Sequence, residues 1–202
     1  MEKNCENCLR HKIIDHLKTG IVYIHAPQGG QVHTYGELAK DAYTRMFDNF
    51  EGRRGCFIDL GAGTGRGLLY AIANGFCKAK GVEIVKERVD YGNEHIILPL
   101  DSLTGGRATL SHGSILDLRE EYFSEDEGGV VIWWGNLCFP VEERETIWSH
   151  LHTCITESTV VFCSRPPANC EQWVVIKTIS DVPQTWTKHA VVYALKKTNV
   201  LV

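Results

Sequence analysis

Residues 57–67 read Phe-Ile-Asp-Leu-Gly-Ala-Gly-Thr-Gly-Arg-Gly. An apolar run carries Asp59, and glycines then fall at 61, 63, 65 and 67. Backbone without side chains at alternate positions lets a ligand lie directly on the chain, and it tolerates the positive φ of a tight strand-to-helix turn. The ligand expected on such a loop is nucleotide-like. Glu83 follows in Gly81-Val82-Glu83-Ile84. An acidic residue about twenty positions beyond such a loop can accept from both hydroxyls of an unphosphorylated ribose. A solvated acid at a strand end is the alternative for Glu83.

The spacing separates two kinds of loop. The dinucleotide fingerprint is G-x-G-x-x-G, with pyrophosphate on the helix N-terminus. Here Arg66 stands where the third glycine belongs, and the pattern is G-x-G-x-G. This resembles the loop of S-adenosyl-L-methionine enzymes, in which the glycines make room for the methionine part and the ribose. The cofactor set that this resemblance implies is Asp59, Gly61, Gly63, Gly65, Arg66 and Glu83. Ser114 and Ile115, in Ser111-His-Gly-Ser-Ile-Leu116, occupy positions that flank an adenine in many such enzymes. An ordinary strand–helix loop explains them equally well.

These residues need a scaffold, and the chain alternates strand-like and helix-like segments after about residue 55. Strands are expected at 56–60, 79–83, 107–112, 129–134 and 158–163, with helices at 65–75, 86–98, 117–123 and 141–154 between them. Two more strands are expected at 173–179 and 189–196. The runs Val130–Trp134 and Thr159–Phe162 are continuously apolar, as central parallel strands covered on both faces are. The last two strands alternate and sit close together, as an antiparallel pair does. Repetition of strand and helix predicts an α/β sheet wound on both sides. Its ligand then binds beyond the carboxyl ends of the strands, where strand order reverses.

Residues 1–54 are expected to form a helical segment with a loop at Ala26-Pro27-Gln28-Gly29-Gly30. Ile13, Ile14 and Leu17 share one helical face, as do Leu38, Ala42, Met46 and Phe47. Thr34 and Glu37 have capping-box spacing. Residues 55–202 are expected to form the S-adenosyl-L-methionine-binding domain. The chain has 202 residues and a net charge of −4, which argues against holding bare nucleic acid by electrostatics alone. No apolar run is long enough to span a membrane. Cysteines fall mostly inside apolar runs, so a reducing compartment is expected. Cys5-x-x-Cys8 with His11 and His16 matches no standard zinc spacing, and no metal is expected.

Two stretches go beyond a generic core. "VVIWWGNLCFP" at 130–140 and "VVFCSRPP" at 160–167 resemble the motifs of the disruptor-of-telomeric-silencing family. These are histone-lysine methyltransferases without a SET domain, built on a seven-strand class I fold. "HTYGEL" at 33–38 and "TWTKHAVVYAL" at 185–195 resemble two further family segments, in family order. The resemblance implies a class I methyltransferase fold: a seven-stranded, mostly parallel sheet with helices on both faces and an antiparallel last strand. It implies Tyr35 and Glu37 in a loop closing over the cofactor. It places Asn136, Phe139 and Tyr193 at a lysine channel, with Asn136 also near the cofactor and Trp133, Trp134 and Trp186 as further candidate walls. Inside a strand, Trp133 and Trp134 point to opposite faces, so at least one packs in the core.

Gly135 stands where the family has an asparagine lining the channel, and Arg165 where it has lysine. The partner implied is a histone or nucleosome, and the compartment the nucleus. The alternatives are a class I methyltransferase for RNA or a small molecule, and a cofactor-binding module without catalysis. The adenine-amino type is disfavoured, because it wants Asp/Asn-Pro-Pro-Tyr/Phe where this chain has Gly135-Asn-Leu-Cys-Phe-Pro140.

Overall fold

A computed structural model describes residues 3–19, 38–124, 128–168, 171–185 and 187–198. Tyr35, Glu37, Trp186 and the Thr34–Glu37 spacing lie outside them. Seven strands form one sheet in the order β3-β2-β1-β4-β5-β7-β6. They are β1 (Arg54–Leu60), β2 (Lys78–Glu83), β3 (Ala108–His112), β4 (Gly129–Trp134), β5 (Val160–Cys163), β6 (Trp173–Gln184) and β7 (Thr187–Lys197). The pairs β1–β2, β1–β4, β2–β3 and β4–β5 are parallel. β7 runs antiparallel between β5 and β6.

Helices cover both faces. On one lie α1 (Lys3–His16), α2 (Lys40–Asp48), α3 (Arg66–Ala73) and α4 (Lys86–Gly92). Ile13, Leu17, Leu38, Ala42, Met46 and Phe47 are all buried in this layer. Tyr43, Phe47, Phe57 and Phe76 pack ring against ring in it, with Phe47 and Phe76 centroids 4.8 Å apart. The other face is covered by α6 (Val141–Cys154) and by 3₁₀ turns at Ile115–Asp117 and Glu120–Tyr122. There Trp134, Trp148 and Trp173 meet edge to face at 5.2 and 4.7 Å. Alternation along β4 therefore sends Trp133 to the first layer and Trp134 to the second. Among the described residues no helix is long and apolar enough to cross a membrane.

Three elements differ from the sequence expectation. The helix expected at 117–123 forms only the two 3₁₀ turns at Ile115–Asp117 and Glu120–Tyr122. The helix expected at 86–98 is α-helical only to Gly92. It then widens to a π turn over Asn93–Ile97, a 3₁₀ turn over Leu98–Leu100 and α5 (Asp101–Thr104). Pro99 supplies the reason, because its ring cannot donate a hydrogen bond and crowds the carbonyl four residues back. β6 runs past its expected end at 179, through Ser180-Asp181-Val182-Pro183 to Gln184. The strand survives because Asp181 takes φ of 55° at a bulge, leaving Val182 to pair with Ala190.

Candidate functional site

The strand order reverses between β1 and β4, and parallel register aligns Leu60 with Trp134 and with Val82. The segments that follow, Gly61 onward, Glu83 onward and Gly135 onward, thus emerge side by side at the carboxyl edge. Gly61, Gly63 and Gly65 all have positive φ, at 78°, 56° and 79°. The turn hangs from β2: the amides of Gly61 and Ala62 both donate to the Val82 carbonyl, at 2.9 and 3.0 Å. Gly81 permits that approach, since a Cβ there would sit 2.7 Å from the Ala62 methyl. Among the described residues nothing lies within 4 Å of where a Gly61 Cβ would point, so none of them covers the bare backbone of the turn there.

Glu83 joins this turn. Its Oε2 accepts from the Gly63 amide at 2.9 Å, and its Oε1 accepts from the Val85 amide at 2.9 Å. Arg88 Nη1 lies 3.4 Å from Oε1, and both side chains are only 4% exposed. The carboxylate is therefore held in place at the mouth of the turn by two amides and a guanidinium. The arginine is a partner that the sequence spacing alone does not single out.

Asp59 is buried at the end of β1. A Cβ on Gly67 would meet Asp59 Oδ2 and Tyr43 Oη, each at 2.5 Å. Asp59 and Tyr43 of α2 therefore converge over the first turn of α3, which ties the N-terminal segment to the glycine turn. Arg66 points the other way: its Nη2 donates to the Leu17 carbonyl. Ser114 uses its hydroxyl to accept from the Leu116 amide at 3.2 Å, and Ile115 is buried in the core beside it.

After β4 and β5 the expected residues are brought together, with different roles. Asn136 is fully buried. Its Nδ2 donates to the Arg165 carbonyl at 2.7 Å, and its Oδ1 accepts from the Arg165 amide at 2.8 Å. This amide pair joins the β4 and β5 loops and engages both polar atoms of the side chain expected at the lysine channel. Phe139 packs on Trp134, centroids 5.5 Å apart, and its carbonyl accepts from Arg144 Nη1 at 2.7 Å. Trp134 is fully buried and cannot wall a channel. Trp133 lies beside Gly135, whose Cβ would come 3.4 Å from its ring.

Next to these loops is a cleft of about 380 Å³ between the β4 and β5 loops and the β6–β7 hairpin. Leu137, Ser164, Arg165, Pro166, Val191 and Tyr193 line it, together with Arg144 and Gln184. Tyr193 reaches it through register, paired with Cys163 on β5 and Thr178 on β6. Leu137, Arg144 and Gln184 were not singled out in the sequence. Each lies on a segment whose neighbours become visible only once the hairpin folds against the β4 loop. Among the described residues no group of His, Cys, Asp and Glu could hold a metal ion.

No protein-family model matches the chain, and no curated protein matches its sequence. Solved structures do match its shape. An RNA methyltransferase from Salinibacter ruber, solved with S-adenosyl-L-homocysteine, superposes with a TM-score of 0.55 at 14% identity, covering 81% of this chain and 94% of that one. The magnesium protoporphyrin IX methyltransferase of Synechocystis, with bound S-adenosylmethionine, gives a TM-score of 0.51 at 14% identity over 95% and 97% of the two chains. Phosphoethanolamine N-methyltransferase 1 of Haemonchus contortus gives 0.56 at 12% identity over 79% and 42%. Those three proteins modify unlike molecules on one scaffold, and strand order and superposition together assign the chain the class I methyltransferase fold.

Proposed function

We propose that this chain is an S-adenosylmethionine-dependent methyltransferase whose acceptor is the side-chain amine of a protein lysine. One observation carries the cofactor assignment: the Glu83 carboxylate sits against the Gly63 amide at 2.9 Å, beside bare backbone at Gly61. Glu83 would accept from ribose hydroxyls, and the 61–65 turn would lie under the methionine portion. Asp59 would act from behind the turn. The cofactor, when bound, supplies an electrophilic methyl on a sulfonium. The chain's contribution is then mainly alignment, because an in-line displacement gains most from positioning.

The acceptor assignment rests on the resemblance of the β4 and β5 loops and of the Tyr193 segment to the disruptor-of-telomeric-silencing family, with a histone or nucleosome as partner and the nucleus as compartment. A lysine must arrive neutral, and the apolar walls Leu137, Pro166 and Val191 disfavour its ammonium form. Tyr193 stands at the cleft as a gate. Asn136 acts as a positioning residue through Arg165.

A second reading has its own support. Arg144 and Arg165 both line the cleft, and two guanidinium groups suit an anionic acceptor such as RNA or a phosphorylated metabolite. Titration calorimetry with S-adenosylmethionine, then transfer of labelled methyl to nucleosomes, free histones, transfer RNA and a metabolite extract, separates the readings. Label in histones that is lost in Tyr193→Ala supports the first. Label in RNA or metabolites alone replaces it with the second. Binding with no transfer to any acceptor makes the chain a cofactor-binding module. Absence of binding ends the cofactor assignment.

A further inference from the structure

Two residues that line the cleft each carry a buried polar atom with no hydrogen-bond partner among the described residues: Oε1 of Gln184 and Nε of Arg144. Gln184 is 6% exposed. Its backbone is fixed, bridged to Leu38 and paired with Thr187. Arg144 is fixed through Nη1 on the Phe139 carbonyl at 2.7 Å. Both orphan atoms are shielded from solvent. Burying a polar atom unpaired is costly, and a native fold normally pairs such atoms or reserves them for a ligand.

The needs of the two atoms differ in sign. The amide oxygen of Gln184 only accepts, and Nε–H of Arg144 only donates. A phosphate or carboxylate answers Arg144 and leaves Gln184 unpaired. An ammonium group does the reverse. A peptide unit presents an N–H and a carbonyl together and answers both.

We propose that Gln184 and Arg144 read the peptide backbone beside the target side chain, so that the cleft selects a polypeptide segment over a free amine. This rests on the polypeptide-acceptor reading above and adds the residues that would enforce it. A nucleobase edge also pairs a donor with an acceptor. It fits less well here, because single-stranded nucleic acid wants stacking platforms and a cationic surface. Tyr193 is the one aromatic ring among the described lining residues, and the chain carries a net charge of −4.

The test is an NMR titration of the full isotope-labelled chain, with and without S-adenosylhomocysteine. The probes are N-acetyl-lysine N′-methylamide, pentylamine and adenosine monophosphate. Wild type should prefer the lysine diamide to pentylamine by about tenfold or more, the worth of one or two hydrogen bonds. Gln184→Met should lose most of that preference and melt no lower than wild type, since it deletes an unpaired buried atom. Arg144→Met should lose the preference as well.

Equal binding of the two amines by wild type would overturn the proposal. So would a preference that survives Gln184→Met, a drop of several degrees in that variant's melting temperature, or adenosine monophosphate as the probe whose binding depends on Gln184. S-adenosylhomocysteine binding in the same samples reports on the cofactor separately, so failure of that reading is distinguishable from failure of this one.

Discussion

Asn136 and the backbone of Arg165 exchange two hydrogen bonds, at 2.7 and 2.8 Å, across 29 residues of chain. The pair fastens the loop after β4 to the loop after β5, and both loops border the cleft. Asn136→Ala leaves the Arg165 amide and carbonyl without their partner, at a cost of about 2–3 kcal/mol. Methyl transfer should fall by an order of magnitude or more while cofactor affinity changes little. Urea unfolding and calorimetry measure the two effects separately.

Glu83 is a delicate position for mutagenesis. Removing its carboxylate strips Arg88, 4% exposed, of an anionic partner, and breaking a buried pair costs about 3–5 kcal/mol. Glu83→Ala should therefore unfold more easily and lose cofactor for two reasons at once. Glu83→Gln, which keeps an acceptor for the Gly63 amide, should remain folded and bind S-adenosylmethionine markedly more weakly. A folded Glu83→Gln with wild-type affinity, by circular dichroism and calorimetry, removes the ribose assignment.

Gly92 supports the cofactor turn from beneath. A methyl at that position would collide with the Thr64 carbonyl in the turn and come 2.7 Å from Leu110 Cδ2. Gly92→Ala should cost about 1–3 kcal/mol by overpacking. It should also weaken cofactor binding although residue 92 is not among the assigned cofactor residues. Thermal melts with and without S-adenosylhomocysteine report both.

Gly135 does not need to be glycine for conformational reasons: its φ is −73°, and a Cβ would make ordinary contact with Trp133 at 3.4 Å. Gly135→Asn, which introduces the residue of the resembled family, should change stability by no more than about 0.5 kcal/mol, as exposed substitutions do. Its effect should appear in the rate or extent of amine methylation. Product distributions by mass spectrometry measure it.

Alkaline pH should loosen the fold. Burial holds the Cys163 thiol above its ordinary 9.0 and the Tyr122 phenol above its ordinary 10.0. Unfolding returns both to those values. Above pH 9 the unfolded chain then releases protons that the folded chain retains, so stability falls as pH rises. Denaturant midpoints at pH 7, 9 and 10.5 should decline in order, and Cys163→Ala should flatten the first step.

What the sequence revealed and what it hid follow from how far apart the partners lie. The glycine turn was legible because its signal is local: β1, the turn and α3 follow one another within residues 54–73. Glu83 was legible as a spacing, but Arg88 beside it was not, since neither residue type announces a buried pair. Asn136 was legible as a motif residue. Its partner, backbone 29 positions on, has no side-chain signature. Trp134 reads as a channel wall in the sequence, but Trp148 and Phe139 pack against it and it is fully buried. Gln184 lies beyond the strand end expected at 179, and the bulge at Asp181 carries the strand far enough to deliver it to the cleft.

The strand order carries a consequence for assembly. β6 meets the rest of the sheet only through β7, so the eleven-residue β7 must slide into an interior slot after its outer neighbour has been made. A nascent chain halted before Thr187 on the ribosome would hold β5 as an open rim and β6 as an orphan ribbon. The cleft bounded by that hairpin is thus the last part of the molecule to exist, and an incomplete chain lacks one of its walls.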